Sequence, residues 1–426
     1  MKAIVVGGGL AGIAAALELA DRGAEVTLLE ARPRLGGATF SVERDGLWQD
    51  NGQHVFLRCF TEYRALLRRL GVADQVVLQD RLDIPVLSPD HRRSHLRRTG
   101  LPAPLHLAGT IARYRFLSPA ERLRVLPTAR ALAKLDLDDP ALDERTFADW
   151  LREHGQSSVA LDGLWNLITL PACNLPADEA SLALGAMVFK VGLLRDASAG
   201  DLGYAAVPLQ QLHGDAAERA LGAAGVDVRT KTRVRSLGEL EADAVVLAVP
   251  HDEAASLVPE LEPARALGFS PILNVHVVYD RRVMDDAFVA GFGTPVQFVF
   301  DRTESSRLER GQYLAVSVSG AAAYAERTQD EIRAEFLPAL AALFPRAHEA
   351  HIERFIVTRE PEATFRGAPG TQALRPGTTA VDGVFLAGAW TDTGWPATME
   401  GAVRSGLAAA RAALQVTDCY KEGVAA

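Results

Sequence analysis

The chain has 426 residues, more than one ordinary hydrophobic core accommodates, so we expect two domains that share an interface. Apolar residues make up 48% and charged residues 23%, which is typical of a globular protein. Acidic residues outnumber basic ones by 54 to 45, and the resulting charge of −9 argues against nucleic acid as the main partner.

The first predicted elements are a strand, a glycine-rich turn and a helix. Residues Lys2–Val6 form an apolar run, Ile13–Ala20 has helical composition, and Gly7, Gly9 and Gly12 between them fit the pattern G-x-G-x-x-G. The first glycine permits a tight turn, the second lets backbone approach a pyrophosphate, and the third lets the helix pack on the strand. Amides at the helix start then face the phosphates.

A second predicted strand, Glu25–Leu29, leads into Glu30. This acid lies near the distance of roughly 20 residues expected for the carboxylate that binds a ribose hydroxyl. The combination predicts a nucleotide site, the alternative being a glycine-rich turn in some other strand–helix unit. A further glycine pair follows at Gly36 and Gly37, where Arg34 is placed to pair with a phosphate, or to lie in an ordinary exposed turn.

The middle of the chain changes character and then returns to alternating strands and helices. Beyond residue 80, prolines and arginines increase and helical patterns dominate up to about residue 200. The predicted helices are 120–135, 146–154, 209–224 and 329–343, and the predicted strands are 226–228, 233–234, 244–249, 273–279, 296–300 and 313–318. We therefore predict a discontinuous nucleotide domain (1–75, 205–255 and 375–415) with a substrate domain inserted as 76–204 and 256–374.

The C-terminal segment identifies the nucleotide. A strand over 384–388 ends in Gly388, a loop over 390–396 follows, and a helix begins over 397–406. This order resembles the closing motif of FAD-dependent amine oxidases and phytoene desaturases. The resemblance implies FAD as the cofactor and a helix whose N-terminal partial positive charge faces the flavin. The implied fold is α/β, an FAD-binding, doubly wound (Rossmann-like) domain with an inserted α+β substrate domain.

Two middle segments narrow the family. Residues 48–54 (WQDNGQH) and 174–181 (NLPADEAS), with the Val207–Leu209 run, resemble hydroxysqualene dehydroxylases, squalene-associated desaturase-like enzymes of hopanoid pathways. The resemblance implies reductive removal of an allylic hydroxyl to give squalene, with a long apolar isoprenoid substrate and an external reductant, either NAD(P)H or a reductase. The implied cofactor contacts are Gly7, Gly9, Leu10, Ala11, Gly12, Glu30, Ala31, Arg32, Arg34, Gly36, Gly37, Ala38, Gly52, Gln53, His54, Val234, Gly388, Ala389, Pro396, Thr398 and Met399.

One position departs from the family pattern. Such proteins usually carry an acid after the glycine of the C-terminal strand, whereas this chain has Ala389 there and its nearest acid at Asp392. We expect the N-terminal turn and Glu30 to hold more of the FAD as a result.

Catalytic residues are less defined. His54 is the candidate donor of a proton to the departing oxygen, because imidazole titrates near pH 7, or else it only hydrogen-bonds its surroundings. Asp50 is the second candidate, with loop ordering as its alternative role. Apolar residues that line a tunnel or simply form core are Phe116, Leu164, Trp165, Leu167, Ile168, Met187, Phe189 and Phe298.

A basic stretch, 91–98, continues into Arg113, Arg115, Arg122 and Arg124 with apolar residues between them. It is either a solvated face or a peripheral contact with anionic lipid at the inner side of a membrane.

The three cysteines are scattered along the chain and form no C-x-x-C pair. They predict neither a disulfide framework nor a metal site, and they fit a cytoplasmic protein. No sufficiently long apolar run predicts a transmembrane helix.

Three other functions stay open at this point: a carotenoid desaturase, an amine oxidase and a non-catalytic isoprenoid-binding protein of the same fold. A desaturase runs the opposite redox direction, and an amine oxidase commonly needs an aromatic cage with a lysine, for which Lys190 has an unsuitable setting. The intact segment 399–402 argues against a non-catalytic protein.

Overall fold

The structure is a computed structural model that describes residues 1–424, with side chains described up to residue 416, so the side chain of Cys419 lies outside this part. Its strands are β1 (Lys2–Val6), β2 (Glu25–Leu29), β3 (Ser41–Arg44), β4 (Leu47–Asp50), β5 (Val55–Leu57), β6 (Val76–Leu78), β7 (Asp83–Leu87), β8 (Arg93–Arg97), β9 (Leu202–Ala205), β10 (Asp227–Arg229), β11 (Ala244–Leu247), β12 (Phe269–Tyr279), β13 (Phe288–Gly291), β14 (Phe298–Asp301), β15 (Gln312–Ser319), β16 (Ile352–Phe365), β17 (Thr379–Val381) and β18 (Val384–Leu386).

Its α-helices are α1 (Leu10–Asp21), α2 (Thr61–Arg69), α3 (Ala108–Arg113), α4 (Pro119–Lys134), α5 (Phe147–Glu153), α6 (Ser158–Ala160), α7 (Asn166–Cys173), α8 (Leu182–Phe189), α9 (Ala216–Ala223), α10 (His251–Leu257), α11 (Gln329–Leu343) and α12 (Met399–Val424).

A six-stranded sheet carries the N-terminal turn. Its order is β10-β2-β1-β11-β18-β17, in which the first five strands are parallel and β17 is an antiparallel edge. β1 is buried on both faces, as expected for a central strand of a doubly wound sheet. Its strands come from residues 2–29, 227–247 and 379–386, and they form the predicted α/β, doubly wound domain beside a second, largely antiparallel sheet.

The second sheet has seven strands in the order β16-β12-β15-β14-β13-β7-β8. Helix α11, which begins with a capping box at Thr328 and Glu331, packs its apolar side on β16. A third, smaller sheet has the order β5-β9-β6. Its strands β5 and β6 precede β7 in the chain, and β9 follows β8. The division into a cofactor domain and a substrate domain stays a prediction, but every strand of the seven-stranded sheet falls between residues 83 and 365.

Three sequence predictions differ from the structure. The region from about 80 to 200, where helical patterns dominate, contains β7 and β8, which pair with each other, and β7 also joins β13. Strand β8 alternates exposed arginines with buried Ser94 and Leu96, a period of two that fits a strand rather than a helix. The predicted helix 209–224 is divided into a π-helical segment, Gln210–Asp215, and α9, and residues 233–234 form no strand.

Candidate functional site

The N-terminal turn is shaped by glycines that no side chain could replace. Gly7 has φ +107°, and a Cβ there would lie 2.3 Å from the carbonyl oxygen of Ala248. A Cβ on Gly12 would lie 1.9 Å from the carbonyl oxygen of Gly7, so helix α1 packs directly on the turn. These contacts fix the start of α1 at the carboxyl end of β1, where ligands of doubly wound sheets bind.

A second turn faces the first. Gly37 has φ +57°, and a Cβ on it would lie 2.7 Å from the Cα of Gly9. A Cβ on Gly9, in contrast, would meet nothing of the protein nearer than 3.7 Å. The protein's own packing therefore gives no reason for glycine at position 9, and the open cradle above it fits a close-lying phosphate group of FAD.

Glu30 joins the two turns. Its buried carboxylate accepts hydrogen bonds from the amides of Gly8 at 2.6 Å and Arg32 at 2.7 Å. Arg34 donates to the carbonyl oxygen of Gly37 at 3.1 Å, and its guanidinium lies 3.4 Å from the centre of the Phe40 ring. Burial lowers the pKa of Arg34 to about 10. These residues shape the cradle, and their predicted ribose and phosphate contacts stay predictions.

The loop after β18 is held by an arginine that sequence reasoning missed. Arg375 is buried and donates to the carbonyl oxygens of Thr391 at 2.7 Å, Trp395 at 2.8 Å and Ala389 at 3.3 Å. Asp392 accepts a hydrogen bond from Gln372 at 2.6 Å on the exposed side. The loop is thus ordered through backbone carbonyls, and its nearest acid faces away from the interior.

Helix α12 begins where this loop ends. The hydroxyl of Thr398 accepts a hydrogen bond from the Gly401 amide at 3.1 Å and caps the helix. A Cβ on Gly406 would lie 2.1 Å from the carbonyl oxygen of Ala11, so α12 crosses α1 at the glycine turn. Seven residues separate that crossing from Met399, so the positive end of α12 lies about 10 Å along its axis from the crossing.

Glu400 stabilises this placement. It is fully buried and accepts hydrogen bonds from the amides of Tyr63 at 2.8 Å and Glu62 at 3.2 Å, at the start of α2. It also accepts hydrogen bonds from Arg404 at 2.8 Å and from the Thr61 hydroxyl at 3.4 Å. A carboxylate at a helix N-terminus is favourable, so Glu400 joins α12 to α2.

The predicted catalytic residues meet at a narrow, tightly packed cleft between β5, β9 and β14. Its lining residues are Asp50, Gln53, His54, Val55, Tyr204, Ala205, Leu209, Phe300 and Arg302. The amide nitrogen Nε2 of Gln53 is buried without a partner among the described residues. An orphaned donor beside the predicted cofactor contacts 52–54 fits a bound group that supplies an acceptor.

Asp50 has a structural role in this cleft. Its carboxylate pairs with the buried Arg302 at 2.8 Å and accepts hydrogen bonds from Ser41 at 2.6 Å and the Leu209 amide at 3.1 Å. Both charged side chains are 7% exposed. The loop-ordering alternative therefore describes Asp50 better than proton donation, because its oxygens are already engaged.

His54 differs from the expectation of a readily charged imidazole. It is partly accessible but closely surrounded, and this burial lowers its pKa. Its Nδ1 lies 3.3 Å from the carbonyl oxygen of Gly52, which can only accept. The neutral ring that donates there presents Nε2 as an acceptor, so at neutral pH His54 is poorly suited to give up a proton.

The candidate tunnel residues lie in one apolar cluster. Phe116, Leu164, Trp165, Leu167, Met187 and Phe189 are buried in it, whereas Ile168 and Phe298 are partly buried at its side. The Trp165 Nε1 donates to buried Gln156 at 2.9 Å, which marks that side chain as core. Val234 also packs on this cluster, from an irregular segment.

Among the described residues, no helix is long and apolar enough to cross a membrane, and no group of three His, Cys, Asp or Glu side chains is placed to hold a metal.

The parallel sheet, the double glycine turn and the capped C-terminal helix define a dinucleotide-binding flavoprotein fold. The chain matches the family of flavin containing amine oxidoreductases over residues 10–414, so it belongs to that family and is an FAD-dependent oxidoreductase. It is similar to cyclohexylamine oxidase from Brevibacterium oxydans, with a TM-score of 0.74, 21% identity, and coverage of 98% and 99% of the two chains.

Two curated relatives extend over nearly the whole chain. Hydroxysqualene dehydroxylase of Rhodopseudomonas palustris is 29% identical over 428 residues, covering 95% of this chain and 96% of the relative. The 15-cis-phytoene desaturase of Solanum lycopersicum is 24% identical over 461 residues, covering 97% and 78%. The predicted resemblance to both groups is confirmed.

Proposed function

We propose that the protein reductively removes the hydroxyl group of hydroxysqualene and releases squalene, in hopanoid or related isoprenoid biosynthesis. The observation that carries the proposal is the end-to-end similarity to the Rhodopseudomonas palustris dehydroxylase. Asp50, Gln53 and His54 of the segment 48–54, which carries part of the sequence resemblance, line the cleft beside β9 and β14. An external two-electron reductant, NAD(P)H or a reductase, belongs to the same proposal.

The cofactor contacts are proposed from the geometry of the cradle. Gly9 leaves room for the pyrophosphate, Gly37 lets the second turn approach Gly9 closely, and the amides at the start of α1 face the pyrophosphate. The N-terminus of α12, capped by Thr398, presents its partial positive charge at the far end of the site. When bound, FAD supplies the two-electron redox chemistry that the chain's own side chains lack.

Removal of the hydroxyl group requires a side chain that donates a proton to the departing oxygen, and this side chain must itself be protonated at neutral pH. Tyr204 lines the same cleft as His54, and burial raises the pKa of its phenol, an effect that nearby Arg302 opposes. Tyr204 therefore keeps its proton at neutral pH, and it lines the cleft beside the Asp50–Arg302 ion pair. We assign proton donation to Tyr204, and to His54 the acceptor role that its bond to Gly52 leaves at Nε2.

A carotenoid desaturase is the second candidate, since the tomato phytoene desaturase also matches along 97% of the chain. The amine oxidase alternative finds less support. Lys190 donates a hydrogen bond to the carbonyl oxygen of Leu135, the residue that directly follows α4. Its ammonium group therefore stabilises the C-terminal end of that helix.

An anaerobic single-turnover experiment tests the proposal. The flavin of the purified enzyme is reduced, hydroxysqualene is added, and flavin reoxidation is followed together with squalene formation by mass spectrometry. Stoichiometric squalene supports the proposal. Phytoene added to the oxidised enzyme forms the second arm, and flavin reduction there without squalene formation in the first arm would establish the desaturase instead.

Tyr204→Phe and His54→Gln separate the two proton roles. We expect Tyr204→Phe to slow squalene formation by about 100-fold or more, within the range of general acid catalysis, while FAD content is unchanged. His54→Gln keeps a hydrogen-bond acceptor at that position and is expected to retain most of the activity. If His54→Gln loses activity and Tyr204→Phe retains it, His54 is the proton donor instead.

A further inference from the structure

One segment of the chain, residues 99–134, has a charge opposite to that of the whole. It contains six basic residues and one acidic residue, within a protein of net charge −9. The basic residues are Arg113, Arg115, Arg122, Arg124, Arg130 and Lys134. The single acid, Glu121, is engaged by the Ser118 amide at 2.7 Å and the Ser157 hydroxyl at 2.5 Å, so its carboxylate serves the N-terminus of α4.

The positive charge of this segment is not neutralised by ion pairs. Arg113, Arg115, Arg124 and Arg130 are exposed, and within residues 1–416 none of them pairs with a carboxylate. The preceding basic stretch, 91–98, is different. There Arg93 pairs with Asp286 at 2.6 Å, Arg98 with Asp201 at 2.5 Å, and Arg97 with Asp83. Arg93, Arg97 and Arg98 are thus already paired with carboxylates of the protein, whereas the exposed arginines of 99–134 are available to a partner.

Leucines are exposed beside these arginines. Leu123 is 77% exposed and Leu126 41% exposed, and their spacing of three residues places them on one face of α4. Leu101 and Leu105 are also about half exposed, near the start of α3, which packs against α4. The opposite side of the segment is buried through Tyr114, Phe116, Val125 and Leu132. We call the exposed leucines and the four unpaired arginines the leucine–arginine face.

We propose that the leucine–arginine face docks on the surface of an anionic phospholipid bilayer. The leucines enter the boundary between headgroups and acyl chains, and the guanidinium groups bind lipid phosphates. Exposed leucines next to unpaired arginines favour lipid over a nucleic acid or an acidic protein, because a polyanion offers the arginines a partner but leaves the leucines in water. The inference rests on these residues and not on the identity of the substrate.

Flotation with vesicles tests this inference. Vesicles of phosphatidylcholine alone and of equal parts phosphatidylcholine and phosphatidylglycerol are mixed with the FAD-bound protein and floated through sucrose at low salt. We expect the protein to float with the anionic vesicles only, and its partitioning to fall about fivefold for each arginine removed. Recovery of all the protein in the bottom fraction with both vesicle types would overturn the proposal.

Three variants identify the contact. Leu123→Asp with Leu126→Asp is expected to weaken partitioning at least tenfold, roughly the effect of withdrawing one buried leucine side chain. Arg113→Glu with Arg115→Glu is expected to abolish it. Val42→Asp, an exposed apolar residue on β3, is the matched control and leaves partitioning unchanged. Unchanged flavin absorbance and melting temperature show that each variant is folded.

The same variants separate lipid from other polyanions. Heparin is offered to each variant on a column. If the arginine variant loses both vesicles and heparin while the leucine variant keeps its vesicle binding, the leucines have no part in the contact. The face is then a general polyanion site, and the lipid proposal is wrong.

Discussion

The buried ion pair between Asp50 and Arg302 is expected to be a main support of the candidate site. Both side chains are 7% exposed, and Arg302 also donates to the carbonyl oxygen of Ala205 at 2.7 Å. Replacement of one partner of a buried pair costs about 3–5 kcal/mol, since the other charge stays buried. Asp50 keeps its bonds to Ser41 and Leu209, so we expect Arg302→Met to lower the free energy of unfolding by about 3 kcal/mol, near the lower end of that range.

Urea-induced unfolding of the FAD-bound enzyme, followed by circular dichroism and flavin fluorescence, measures this loss. Arg93→Met is the control, because the pair of Arg93 with Asp286 is partly exposed and exposed pairs contribute less than about 1 kcal/mol. A loss for Arg302→Met no larger than that of the control would refute the reasoning. Asp50→Asn separates structure from chemistry: a variant of unchanged stability that has lost all activity would restore Asp50 as a catalytic residue.

Three further predictions concern the cradle, the interior and the C-terminal loop. Gly37→Ala is expected to lower the ratio of flavin to protein absorbance sharply, whereas Gly383→Ala, whose Cβ meets open space, retains FAD and loses only about 1 kcal/mol. Burial lowers the pKa of His276 to about 3 from 6.5, so an unfolded chain takes up a proton below pH 6.5 that the folded chain refuses. The unfolding free energy should therefore fall between pH 6.5 and 3 by up to about 1.4 kcal/mol per pH unit from this residue, and His276→Gln, but not the exposed His348→Gln, should flatten that slope. Arg375→Met removes the hydrogen bonds to the carbonyl oxygens of the loop 389–395. We expect faster proteolytic cleavage in this loop together with loss of FAD. A loop as resistant to the protease as that of the unaltered protein would contradict the assigned role.

Local sequence patterns predicted the nucleotide-binding part of the fold well. The bounds of β1 and β2 agree with the prediction, because an apolar run, a glycine turn and a helix are adjacent in sequence and need no distant partner to be recognised. The prediction missed β7 and β8, within the region 80–200 where helical patterns dominate, for the opposite reason. β7 pairs with β13, about 200 residues away, which no local pattern shows, and β8 pairs only with β7.

The candidate site shows the same division. The segment 50–54 was identified from its resemblance to relatives, and the structure then placed Tyr204 and Arg302 beside it. Neither has a local signal, since Tyr204 lies in a four-residue strand and Arg302 follows the end of β14. The expected charge of His54 also depended on burial, which is set by tertiary packing rather than by residue type.

The order of strands in the parallel sheet has a consequence for biosynthesis. β1 is synthesised well before its neighbour β11, which ends at residue 247, and before β18, which pairs with β11 and ends at residue 386. During translation the outer edges of β1 and β2 stay unpaired until β10 and β11 have been made, which requires more than 220 residues. Unpaired edges of apolar strands are prone to aggregation. Helix α12 begins at Met399 and packs on α1, so the nascent chain completes the cofactor site only after β18 and the loop that follows it have been synthesised. Chaperone dependence and poor recovery of C-terminally truncated chains are the expected cellular signs of this late closure.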